Sequence, residues 1–173
     1  WEVPEELQAL FRMLRDEVFK LESHAQTAEA HLDQDTRKFT AQVDAAVPVL
    51  KRAVLQVRER MDDPLVGNPD GDVERVLAFV RGAAQEMRAL KETAARYQHW
   101  QRMLKQPVME MDTIDNVNQD VNLKLALWNA LYTWEESQDT WRATSFQSLD
   151  SESLEREVVG FLKTAVRAER GLP

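Results

Sequence analysis

The side chains with which this sequence could do chemistry are 3 histidines and 30 carboxylates, in 173 residues without a cysteine. His24 and His31 stand seven apart, which on a helix gives one face but about 10.5 Å along the axis, too far to share a metal ion. The residues three before His24, His31 and His99 are Leu21, Ala28 and Arg96, so the Glu-x-x-His pattern of di-iron bundles is missing. Lack of cysteine removes thiolate ligands, thiol nucleophiles and disulfides, and is compatible with a reducing compartment. Gly67-Asn68-Pro69-Asp70-Gly71 is glycine-bearing, but no Lys-Ser/Thr follows it, no strand precedes it, and Asp70 and Asp72 would repel phosphate. The pairs Glu135-Glu136 and Asp62-Asp63 are sequence neighbours that diverge to solvent, whereas catalytic carboxylates need a shared, partly dry cleft. We therefore expect no catalytic, cofactor-binding or metal site in this chain.

The residues that stand out are aromatic. Trp128, Trp134, Trp141, Phe146 and Leu149 fall between Leu125 and Pro173, a stretch that holds 3 of the 5 tryptophans. Trp134 and Trp141 are seven apart and share a helix face; Trp128 is offset around the axis. The spacing suits a packed helix–helix core. The alternative is a partner-facing or hinge-facing patch, because tryptophan concentrates at interface hot spots. Trp1 and Trp100 would cap the ends of a bundle. Nucleic-acid stacking would require interleaved Lys and Arg, and none lies between Asn129 and Trp141.

The elements that must carry these residues are helices. Leu7, Phe11, Leu14, Val18, Leu21, Ala25, Ala28 and Leu32 alternate steps of four and three, a heptad-like seam on one helix face. Pro4 fits a first helical turn, with Glu5 and Glu6 beside the positive helix end. Asp35 interrupts the seam, which continues beyond Phe39 at Val43, Ala46, Leu50, Val54, Val57 and Met61 with two successive four-residue steps. Pro48 predicts a kink rather than an end. Pro4 to Met61 would be about 85 Å of helix, too long for a compact globule.

Asp62 to Gly71 reads as a loop with turn chemistry. A second helix, about Asp72 to Leu104, presents Val73, Val76, Val80, Ala83, Met87, Leu90, Ala94 and Tyr97 and folds back on the first. Lys105 to Thr113, with Pro107, makes the next connection. A third helix runs through Ile114, Val117, Val121, Leu125, Trp128, Leu131 and Glu135. A fourth starts at an Asp150 cap, buries Leu154, Val158, Phe161, Leu162 and Ala165, and stops at Gly171. The predicted fold is all-α: an elongated antiparallel bundle of long helices over 1–110, then a shorter helix pair over 111–173.

Net charge is −8, distributed as −4 over residues 1–63, +2 over 64–105 and −6 over 106–173. An acidic surface repels nucleic acid, anionic membranes and the acidic microtubule surface, so direct contact with any of these is not expected. No run of some 18 apolar residues spans a bilayer. A chain that begins at Trp1, with no signal-like start, reads as a piece of something longer.

The order LALWNALYTWEESQDTWRATSFQSLDSESLEREVVGFL…GLP resembles the point in dynein heavy chains, axonemal ones above all, where the tail gives way to the linker. The elements are Leu127-Trp128, Trp134, Trp141, Phe146 with Leu149-Asp150, the acidic helix Ser151 to Glu169, and Leu172-Pro173. They cover about a third of the chain. The resemblance implies a non-catalytic fragment, with 1–110 as the last tail bundle and 111–173 as the entry to the linker. The ATP and Mg sites would lie in a downstream motor ring, and the setting would be the cytoskeleton of a ciliary or flagellar axoneme. It implies other dynein heavy, intermediate or light chains as partners. Trp141, Phe146 and Leu149 would wedge the third and fourth helices apart at a fixed angle. Removing a buried Phe146 side chain would then cost about 3–5 kcal/mol. The alternative is a free-standing, spectrin-like helical adaptor that binds a partner helix in a groove.

Overall fold

The computed structural model describes residues 4–68 and 70–172; the expectations placed on Trp1, Pro69 and Pro173 lie outside them. Among the described residues five α-helices follow one another: α1 Glu5–Met61, α2 Pro64–Gly67, α3 Val73–Met103, α4 Asp112–Ala143 and α5 Ser151–Gly171. A 3-10 turn, Phe146–Ser148, joins α4 to α5. The chain is all-α and bundled through its long helices. Among the described helices none is long and apolar enough to cross a membrane.

α1 is continuous through Pro48, with Pro4 as its N-cap rather than its first helical residue. The expected plain loop after Met61 contains a helical turn. Pro64 fits a first helical position and the Asp63 carboxylate accepts from the Leu65 N–H at 2.8 Å, so α2 forms where turn residues alone suggested irregular chain. Asp72 caps α3 by accepting from Arg75 N–H at 3.1 Å, and Asp150 caps α5 through Glu152 N–H at the same distance.

α3 lies antiparallel to the second half of α1: the Arg60 guanidinium pairs with Glu86, while Val43 and Met103 share a cleft at the other end. α4 lies antiparallel to α3, with Lys91–Asp115 at 2.7 Å and Arg81 donating to Asn129 at 2.9 Å. One core fills the space between the three. Val54 and Val57 of α1, Val76, Val80 and Met87 of α3, and Ile114, Val117 and Val121 of α4 are buried in it. The core runs across the expected boundary at 110/111, because α4 closes the groove that α1 and α3 leave open.

The first half of α1 has no such cover. Leu7, Phe11, Leu14, Val18, Leu21 and Leu32 are each more than half exposed, Leu21 at 69 %. Burial on α1 begins at Val43.

Candidate functional site

The aromatic junction is built on α4. Ile114, Val117, Val121 and Trp128 keep one face of α4 in the core, and that register swings the next two turns toward α5. Trp128 is buried, and its indole N–H donates to the Val66 carbonyl at 3.2 Å. One turn earlier, Lys124 donates to the Met61 carbonyl at 2.8 Å and lies 3.7 Å from Asp62. Two side chains at i and i+4 thus fasten α4 to the end of α1 and to α2. Lys124 also satisfies a carbonyl that the helix end leaves without an intrahelical partner.

Trp134 and Trp141 share a helix face as their spacing requires, ring centroids 5.7 Å apart and 84° between planes. The third ring is Phe161 of α5, 5.3 Å from Trp134 at 83°. Both contacts are edge-to-face, the arrangement the aromatic quadrupole favours, worth about 0.5–1.5 kcal/mol beyond area burial. Ser137 donates to Glu157 at 3.3 Å along the same seam. Beside it, half-buried Tyr132 has its pKa raised, first by its hydrogen bond to Glu136 and then by that carboxylate's charge.

Phe146 is not part of this contact. It stands 89 % exposed on the 3-10 turn, while Leu149 is half-buried. The expected wedge of Trp141, Phe146 and Leu149 is corrected: Trp134, Trp141 and Phe161 fill the space between α4 and α5. The turn has only three residues, so Phe146 has no second helix above it to pack against. On α5 the expected Leu162 and Ala165 are exposed, and Leu154, Val158, Phe161 and Ala168 face inward. Leu162 follows Phe161 by about 100° of helix rotation, which carries it off a stripe that only one helix covers.

The end of α5 approaches α4 closely. A Cβ on Gly171 would sit 2.6 Å from Leu123 Cδ1, so an added methyl there would push that leucine tip aside. The helix stops at Gly171 as expected, and no described glycine has positive φ, so the stop is made without a left-handed residue.

A polar clamp escaped the sequence reading. Gln98 donates to the Met109 carbonyl and Gln101 accepts from the Met109 N–H, both at 2.9 Å. Gln101 is itself buried, so its amide oxygen and the Met109 backbone are satisfied away from water. A glutamine on a helical surface pattern carries no sign of this. The neighbouring Pro107 marks the connection but not what holds it.

His24 and His31 are exposed on α1, and His99 on α3. Among the described residues no three His, Cys, Asp or Glu side chains converge as a metal ion would require. Glu135 and Glu136 face solvent, and Asp63 is used as a cap. The side chains brought together at the junction are packing and hydrogen-bonding groups that join one helix to the next.

The chain is 21% identical over 170 residues to Dynein axonemal heavy chain 6 of Homo sapiens, covering 98% of this chain and 4% of that protein. It is 23% identical over 169 residues to the human Dynein axonemal heavy chain 14, covering 90% of this chain and 5% of the relative. The likeness to axonemal dynein heavy chains therefore extends from the aromatic motif to nearly the whole length, although the chain spans about a twentieth of either relative. No protein-family model matches the chain. No solved structure matches it.

Proposed function

We propose that this chain is a non-catalytic, force-transmitting segment of an axonemal dynein heavy chain, lying where the tail gives way to the linker. The observation that carries the reading is an alignment with two human axonemal heavy chains over nearly the full length, added to the aromatic order of residues 127–150. In this role residues 1–110 end the tail and 111–173 enter the linker. ATP and Mg would be bound by a ring encoded further along, and the fragment itself would carry no cofactor.

The packing supports such a role. A lever must pass load without bending, and here load entering α1 meets α4 through Lys124, Trp128 and a shared core. It then meets α5 through the Trp134–Phe161 contact, which Trp141 backs from the same face of α4. Each joint is a packed or hydrogen-bonded side chain rather than a flexible linker. Other dynein heavy, intermediate or light chains would dock on the helical surfaces, in the axoneme of a cilium or flagellum, without direct contact to the microtubule.

The test is the coding sequence downstream of Pro173. A continuation through several hundred linker residues into phosphate-binding loops is the expected result. A message that ends shortly after Pro173, or adds an unrelated module, overturns the reading in favour of an adaptor.

A further inference from the structure

The seam of α1 outlasts its cover. From Val43 to Met61 it faces α3, but α3 ends at Met103, in a cleft shared with Phe39 and Val43. The seam goes on toward the amino end for four more heptads, about 40 Å from Leu32 to Leu7, with its large side chains in water. We propose that two copies of this chain pair antiparallel through residues 7–32 of α1, about a twofold axis between Phe19 and Lys20.

The residues select this register. It sets Phe11 against Ala28 of the second copy, Leu14 against Ala25, Val18 against Leu21 and Leu7 against Leu32. Each layer joins a large side chain to a small one or two of middle size, as close packing requires. Parallel pairing would stack Phe11 on Phe11 and Ala25 on Ala25, crowding one layer and hollowing another. It would also bury Asp35 against Asp35 at a seam position, two uncompensated like charges. In the antiparallel register Asp35 lies just past the paired stretch, opposite Pro4.

Charge follows the same choice. An antiparallel pair brings each flank of the seam against the same flank of the other copy. Arg15 then faces Glu22 of the second copy and Glu17 faces His24, each twice by symmetry; Glu17 also holds Lys20 of its own helix at 2.8 Å. A parallel pair would set Glu17 against Glu22, like against like.

The area is sufficient for a weak specific dimer. Six large side chains per copy, each burying about 60–120 Å² of apolar surface, remove on the order of 1,000 Å² in all. The paired stretch lies clear of α3, which covers α1 only from Val43 onward. The second helix would continue the line of α3, in the same direction.

Sedimentation equilibrium of the whole chain between about 1 and 100 µM, a range suited to a micromolar Kd, tests the proposal. The expected mass rises with concentration from the 20.0 kDa monomer toward twice that value. Leu14→Asp with Leu21→Asp should hold the mass at the monomer value while the bundle melts as before, since both positions are exposed in the monomer. Arg15→Glu or Glu22→Arg alone should weaken dimerisation about tenfold and the double reversal should restore it. Spin labels on Asp33→Cys should lie about 40 Å apart, 27 residues of rise in this register. A monomer at every concentration, a label distance of about 10–20 Å from side-by-side helices, or a double reversal that fails to restore the dimer would overturn it.

Discussion

The two halves of α1 share one sequence pattern and meet opposite fates. From Leu7 to Leu32 the seam is in water; from Val43 to Met61 the same spacing is sealed by α3 and α4. Periodicity therefore states which face of a helix is to be covered, and is silent on what covers it. The sealed half meets α3 because the Asp62–Asp72 connection returns the chain along it, and the bare half lies beyond the point where α3 ends.

The sharpest way to break this contrast is one substitution made in each half. Val57 is wholly buried and Leu21 is largely exposed. Val57→Asp places a carboxylate in the core without a partner and should cost about 3–5 kcal/mol, enough to abolish cooperative melting of a marginal bundle. Leu21→Asp should shift the melt of dilute chain by no more than about 0.5 kcal/mol. Equal losses at the two sites would mean that the amino half of α1 is sealed in solution as well.

The aromatic residues repeat the contrast at the other end of the molecule. Trp128→Ala removes a buried ring and leaves the Val66 carbonyl without its donor, a loss of about 3–5 kcal/mol in a denaturant melt. Phe146→Ala should change stability by about 0.5 kcal/mol or less, because that ring is already in water. A large effect of Phe146→Ala would show the 3-10 turn to be covered after all.

The helices were legible because heptad spacing, the cap at Asp150 and the turn residues of 62–71 all act locally. So was the Trp134–Trp141 contact, which needs only a seven-residue step on one helix. What could not be read depends on chain far away in sequence. Phe161 meets Trp134 only because the connection over residues 144–150 is short enough to fold α5 back on α4, and Lys124 finds Met61 across 63 residues. The bare half of α1 looked identical to the sealed half for the same reason.

A smaller effect is expected at the clamp that ends α3. Gln101→Leu keeps the volume but strands the Met109 N–H in the core, at about 1–3 kcal/mol. Hydrogen exchange should then show residues 104–111 opening first, with α1 still protected up to Val43. Exchange that rises along α1 as well would mean that the clamp also sets where its cover stops.

The border between the halves finally rests on how α3 stops. Gln106 N–H donates to the Gln101 carbonyl at 2.8 Å and Lys105 N–H to that of Arg102 at 3.1 Å, the paired bonds of a Schellman motif. The left-handed position of that motif is normally glycine, yet Lys105 occupies it with φ 54°. A side chain with a Cβ is strained there by about 1–2 kcal/mol, which the two capping bonds and the Gln98–Gln101 clamp offset. Lys105→Gly relieves the strain but gains chain entropy in the unfolded state, so the net stabilisation should be about 0.5–1 kcal/mol, read as a higher midpoint in urea with an unchanged slope. A loss of stability instead would mean that the Lys105 side chain holds the end of α3 by its own contacts. The place where α1 loses its cover would then be set by a side chain rather than by the backbone stop.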